Sequence, residues 1–161
     1  MNIPVPPTIM IADDNDSFRE SLADFFRERG YETLETDNGK DGLEIARVKR
    51  LDLALLDVHM PGYNGLELFR RLRLIQTDLH CVFLTSEPSG LVIETARKLG
   101  ALSVLAKAIH IKMLFQLVEM VTTGDFDNLL EIADLAGLLL DPASFRKKIR
   151  PEARGPRPEE D

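Results

Sequence analysis

Short apolar runs alternate with longer amphipathic segments along most of the chain. The apolar runs predict five strands, at 9–12, 31–36, 51–57, 81–84 and 102–105. Between and after these runs, apolar residues recur at intervals of three and four, which predicts helices over 17–30, 42–48, 66–74, 91–99 and 111–121. Five strands that alternate with five helices indicate an α/β fold in which a doubly wound parallel sheet carries helices on both faces.

Local features support this reading at two places. The run 51–57 (LDLALLD) is almost continuously apolar, which is typical of a strand covered on both faces. Asp16 or Ser17 is expected to cap the first helix, and Gly30 is expected to end it.

Composition and charge narrow the class of partner. The chain has 161 residues and a formal net charge of -7, which argues against a nucleic-acid partner and suits a divalent cation. The single cysteine, Cys81, cannot form an intramolecular disulfide, so a reducing compartment is expected. The N-terminal residues lack a signal-peptide pattern, and no apolar run approaches the roughly 20 residues that span a bilayer. These observations predict a cytoplasmic protein without a membrane partner.

Polar side chains follow four of the predicted strands, at the point where each strand ends. They are Asp13 and Asp14, Asp57, Thr85 with Ser86, and Lys107. In open α/β sheets the ligand site lies beyond the carboxyl ends of the strands, so these side chains are expected to converge. Carboxylates held close together repel, and Mg²⁺, which prefers oxygen ligands, relieves that repulsion. An aspartate beside such an ion can accept a phosphoryl group as a nucleophile.

The motifs in this pattern resemble the receiver domain of two-component response regulators over roughly residues 8–122. The resemblance rests on the Asp13-Asp14 pair, on DVHMPGYNG from Asp57 to Gly65, on Thr85, on Gly100-Ala101 and on Lys107. It implies a flavodoxin-like, chemotaxis-regulator-like fold with strand order 2-1-3-4-5. It also implies a phosphorylation-dependent switch that signals by protein–protein interaction.

The resemblance also implies a role for each site residue. Asp57 would be the phosphoacceptor. Asp14 would bind Mg²⁺ directly and Asp13 mostly through water, and His59 would offer its backbone carbonyl to the metal. Thr85 would move toward the phosphoryl group.

Lys107 would pair with the phosphoryl oxygens and a carboxylate. The donor would be a phosphohistidine on a sensor histidine kinase or a histidine phosphotransfer protein. The chain would not be a dedicated enzyme, although it would catalyse its own phosphorylation and autodephosphorylation.

Some positions depart from the family pattern. Ala108 stands where receivers usually have a proline after a cis bond, and a trans bond is expected here because cis before alanine costs about 2.5–4 kcal/mol. Val104 stands where the family often has a switching aromatic ring. By the resemblance, His59 and Glu87 occupy variable positions that would gate water access and set the lifetime of the phosphoryl group.

These departures leave two alternatives open. Ala108 and Val104 motivate the first, a degenerate receiver that acts as a constitutive protein-interaction module. The second is an α/β phosphohydrolase with an aspartate nucleophile, which is disfavoured because His59 stands where such enzymes place a general acid.

The pattern divides the chain into four segments. They are a disordered N-terminal arm (1–7), the receiver domain (8–122), a helical extension (123–142) and a disordered tail (143–161). The extension is expected to hold one helix over about 126–140 that needs burial against its own domain or another chain, so a homodimer stays possible. No pattern of a DNA-binding output domain is seen.

Overall fold

A computed structural model describes residues 5–108 and 110–149 and contains one five-stranded parallel sheet. The strand order is β2-β1-β3-β4-β5, so the predicted fold class and strand order are confirmed. The strands are β1 (Thr8–Ala12), β2 (Glu32–Thr36), β3 (Leu53–Asp57), β4 (His80–Thr85) and β5 (Ser103–Ala106).

Helices cover both faces of this sheet and continue beyond it. The first five are α1 (Asp16–Arg27), α2 (Gly39–Val48), α3 (Gly65–Ile75), α4 (Gly90–Leu99) and α5 (Ile111–Thr123). Two short helices follow, α6 (Leu129–Leu135) and α7 (Pro142–Lys148). The cap of α1 differs from the expectation: the Asn15 side chain accepts the Phe18 N–H, and Asp16 is the first helical residue.

The apolar runs form the centre of the sheet. Every residue of β1, β3 and β4 is buried, because these strands lie between neighbours and under helices on both faces. Ile9, Leu55 and Phe26 belong to a core on one face, and Met10, Leu56 and Phe69 to a core on the other. Alternation of neighbouring strand residues between the two cores follows from the two-residue period of a strand.

The C-terminal extension packs on its own domain, beside the start of β5. Leu139 N–H donates to the Leu102 carbonyl (2.9 Å), and the Ser103 hydroxyl donates to the Ala136 carbonyl. Phe145 of α7 is fully buried in the same core as α1 and α5. The extension was expected to be buried against its own domain or against another chain. In the structure it is buried against its own domain.

The course of the extension differs from the single helix expected over 126–140. The α6 helix ends at Leu135, and Gly137 takes a left-handed conformation (φ 53°) that turns the chain back along β5. Residues 142–148, most of which were expected to be disordered, form α7. Asp141 caps this helix through the Ser144 N–H, and Pro142 suits its first turn.

The remaining expectations about the chain termini lie mostly outside the described residues, which include neither 1–4 nor 150–161. Residues 5–7 precede β1 without regular structure. The four-segment division therefore stays a prediction. Within the described residues, no helix is long and apolar enough to cross a membrane.

Candidate functional site

Three carboxylates meet at the carboxyl ends of β1 and β3. Asp13 and Asp14 follow β1, Asp57 ends β3, and one oxygen of each lies within 4.8 Å of the others. Asp13 and Asp57 are buried, whereas Asp14 is exposed. The predicted convergence of these side chains is thus present. A donor set of three carboxylates is one that a hard divalent cation prefers, so the residues fit Mg²⁺.

Lys107 joins the cluster from the loop after β5. Its Nζ lies 2.8 Å from Asp13 Oδ2 and 3.2 Å from Asp57 Oδ2. Its backbone N–H donates to the Thr85 carbonyl (2.8 Å), which extends the β4–β5 pairing by one residue and fixes the start of the loop. No cis peptide bond occurs in the described residues, so the bond before Ala108 is trans, as expected.

The electrostatics of the cluster follow from burial. Burial raises the pKa of Asp57, repulsion from Asp13 raises it further, and the Lys107 ammonium and the His59 N–H only partly offset this. Burial alone would lower the pKa of Lys107, but its hydrogen bonds to Asp13 and Asp57 outweigh that effect and the net shift is upward. The cluster carries an excess of negative charge that one lysine does not neutralise.

The loop from β3 to α3 turns tightly around Asp57. The His59 N–H donates to Asp57 Oδ1 (3.2 Å), and the Gly65 N–H donates to the Val58 carbonyl (2.9 Å). A Cβ atom at Gly65 would lie 2.0 Å from the Asp57 carbonyl oxygen. Glycine is therefore required where α3 begins, which explains the last residue of the DVHMPGYNG motif.

Thr85 occupies the end of β4, next to the Lys107 backbone. It is fully buried, and its hydroxyl accepts the Glu87 N–H (3.3 Å). Thr85 lies beside Ala106 in the β4–β5 register, while Asp57 pairs with Leu84 one residue earlier. The structure therefore brings Thr85 to the same edge of the sheet as the carboxylates.

The start of α1 contributes contacts that the sequence reasoning missed. Asp13 Oδ1 accepts the Asn15 N–H (2.8 Å), and Asn15 Oδ1 accepts the Phe18 N–H (2.9 Å). This chain of bonds places the Phe18 ring with its centroid 5.1 Å from Lys107 Nζ. Arg19 donates to the Asp13 carbonyl (2.8 Å) and pairs with Glu35 (3.2 Å). The sequence signal for this cap was Asn15 itself, three residues before Phe18, because asparagine is a preferred N-cap residue.

Val104 lies half-buried on the face of the sheet that α4 covers, and Leu139 of the extension packs against the same core. Apolar side chains of the extension and of β5 therefore contribute to one core.

Comparison with known proteins identifies the family. Residues 9–119 match the model of the response regulator receiver domain. The sporulation initiation phosphotransferase F of Bacillus subtilis is 34% identical over 103 residues, which cover 64% of this chain and 83% of that protein. The phosphate regulon transcriptional regulatory protein PhoB of Pseudomonas aeruginosa is 33% identical over 158 residues, which cover 94% and 69%. The chain spans about half the length of other relatives; for example, it covers 56% of BvgA of Bordetella pertussis.

Solved structures show the same fold. A receiver domain from Methanospirillum hungatei has a TM-score of 0.69 at 21% identity, with 71% of this chain and 92% of that chain covered. A response regulator from Burkholderia pseudomallei, solved with a phosphorylated aspartic acid and a calcium ion, has a TM-score of 0.64 at 28% identity, with 68% and 64% covered.

The chain therefore belongs to the response regulator receiver domains of two-component systems. Phosphorylation and Mg²⁺ binding are typical of this family, and its members interact with histidine kinases or phosphotransfer proteins.

Proposed function

We propose that this chain is a phosphorylation switch that accepts a phosphoryl group on Asp57 from a phosphohistidine and passes the signal on by protein–protein interaction. The observation that carries this proposal is the cluster of Asp13, Asp14, Asp57 and Lys107 at one edge of the sheet. The phosphorylated aspartic acid of the Burkholderia pseudomallei relative supports the same chemistry.

Asp57 is the nucleophile of the transfer. One of its carboxylate oxygens forms a bond to phosphorus while the bond from phosphorus to the donor imidazole nitrogen breaks, and the nitrogen keeps the electron pair. Asp13, Asp14, Asp57 and the His59 backbone carbonyl would hold Mg²⁺, which neutralises charge on the phosphoryl oxygens. The His59 N–H already orients the Asp57 carboxylate.

Lys107 and Thr85 contact the product. The Lys107 ammonium, now shared between Asp13 and Asp57, is within reach of a phosphoryl group on Asp57 and pairs with its oxygens. The Thr85 hydroxyl, whose oxygen accepts the Glu87 N–H, moves to donate its own proton to another of these oxygens. Such rearrangement of the loops after β3, β4 and β5 shifts the population toward a form that a partner protein binds better.

Phosphorylation by acetyl phosphate tests this function. The chain is incubated with acetyl phosphate and Mg²⁺, and its intact mass is followed beside the Asp57→Asn variant and a sample with chelator. The switch is supported if the parent chain with Mg²⁺ gains one phosphoryl group, and neither the Asp57→Asn variant nor the sample with chelator does. A folded sample that gains none and does not bind beryllofluoride contradicts it, and the constitutive interaction module then takes its place.

A further inference from the structure

We propose that Phe18 is a positioning residue of this site and that its ring holds the Lys107 ammonium against Asp13 and Asp57. The inference is carried by one juxtaposition. The Phe18 ring centroid lies 5.1 Å from Lys107 Nζ, and the same Nζ pairs with both carboxylates. The inference rests on the proposed function, because it assigns a second contact to the lysine that would bind the phosphoryl group.

A second contact helps to order Lys107, because its side chain is long and Lys107 is the first residue of the loop after β5. Ordering a long lysine side chain costs conformational entropy. The backbone is fixed on one side by the bond to the Thr85 carbonyl, and β5 ends at Ala106, directly before Lys107. The trans bond before Ala108 means that the loop takes its shape without a cis peptide.

The Phe18 ring is itself well placed to supply the contact. It lies at the third residue of α1, and its N–H is held by Asn15, whose own N–H is held by Asp13. The ring is half-buried and packs against the core formed with α5. The same short chain of hydrogen bonds therefore fixes the ring relative to the carboxylate that pairs with Lys107.

The ring face attracts the ammonium and shields it from water. A cation within about 6 Å of an aromatic centroid is stabilised by the ring quadrupole, and the gain is larger when the pair is partly desolvated. The Lys107 side chain is 17% exposed, so the pair is in that regime. Loss of the ring face lets the ammonium sample positions away from Asp57, and the rate of phosphorylation at Asp57 falls.

Three variants of α1 separate this role from a merely structural one. Phe18→Leu keeps an apolar side chain and removes the ring face, whereas Phe18→Tyr keeps the face. Phe25→Leu is the matched control, because Phe25 is also a half-buried aromatic residue of α1 beneath a cation, Arg29 at 3.5 Å, on a different part of the domain.

The variants are compared by two measurements on the full chain. The first is the rate of phosphorylation by acetyl phosphate with Mg²⁺. We expect Phe18→Leu to lower it about 2- to 30-fold, the range that a lost cation–π contact implies, while Phe18→Tyr and Phe25→Leu lower it clearly less than Phe18→Leu does. The second is the NMR chemical shift of the Lys107 ε-methylene protons, which the Phe18 ring current moves upfield and which Phe18→Leu returns toward the value of a free lysine.

The two measurements fail in different ways. If the parent chain is not phosphorylated, the proposed function falls, and the Lys107 shift still reports on the contact. If Phe18→Leu leaves both the rate and the shift unchanged, Phe18 does not position Lys107. A fall of equal size in Phe18→Tyr or Phe25→Leu also overturns the inference, because the ring face at position 18 is then not the cause.

Discussion

Replacement of Phe145 by alanine tests whether the C-terminal extension is part of the folded domain. The Phe145 ring is fully buried, belongs to the core of α1 and α5, and lies edge-on to Phe126 with ring centroids 6.0 Å apart. If α7 were only loosely attached, removing this ring would matter little to the rest of the chain.

The magnitude follows from the burial of the ring. Truncation of a fully enclosed phenylalanine to alanine costs about 3–5 kcal/mol through lost transfer free energy and the cavity left behind. The edge-on pair with Phe126 accounts for about 0.5–1.5 kcal/mol of such a loss. The cost cannot exceed the free energy that docks the extension, because the extension can detach instead, so we expect about 3 kcal/mol.

Urea unfolding at pH 7 measures this cost through both the midpoint and the slope m. We expect a lower midpoint with an unchanged m, as for one cooperative unit. Leu130→Ala serves as the control, because Leu130 lies on α6 but is 70% exposed, and it should shift the free energy of unfolding by no more than about 0.5 kcal/mol. A loss below about 1 kcal/mol in Phe145→Ala would refute a docked extension. A marked drop in m would instead mean that the extension, docked in the parent, detaches in the variant.

Three further predictions concern the site. Without metal, Asp57→Asn should be more stable than the parent at pH 7. The pKa of Asp57 is raised in the folded state, so the carboxyl stabilises the fold fully only below its unfolded pKa. That contribution is lost as pH rises through the folded-state pKa, whereas asparagine stays neutral. Urea unfolding should show the gain at pH 7 and none near about pH 3, and a gain that grows toward low pH would contradict the sign. Gly65→Ala should lower the free energy of unfolding by about 3 kcal/mol, since its Cβ would meet the Asp57 carbonyl oxygen at 2.0 Å. Gly90→Ala is the control, because the space around Gly90 is open, and thermal unfolding should show it to be neutral or slightly stabilising. Mg²⁺ at about 100 times its Kd should stabilise the parent by about 2.7 kcal/mol, and calorimetry should show little effect in Asp13→Asn; equal effects would exclude Asp13 from the metal site.

The sheet and most of the site were predictable because they depend on patterns that are local in sequence. Apolar runs such as 53–56 are typical of strands buried on both faces in the middle of a parallel sheet, and the residues that follow such strands meet at one edge of the sheet. The convergence of Asp13, Asp57 and Lys107 follows from that geometry, although they are up to 94 residues apart.

Other features depend on contacts that no local pattern encodes. The contact of Phe18 with Lys107 depends on how α1 leaves β1. Asn15 fixes this start, because its N–H donates to Asp13 and its side chain accepts the Phe18 N–H. Asn15, Asp16 and Ser17 are all good capping residues, so the sequence alone leaves the first residue of α1 open by one or two positions.

The extension shows the same limit more clearly. The apolar residues of 126–140 indicate that the segment must be buried, but a pattern of this kind does not say against what. In the structure the segment packs beside the start of the edge strand β5, where the Leu139 N–H donates to the carbonyl of Leu102, the residue before this strand. The turn at Gly137 makes this possible, since it stops α6 and sends the chain along the strand before Asp141 and Pro142 start α7. Because β5 leads directly to Lys107, the extension packs beside the same strand that positions the lysine of the proposed phosphoryl site.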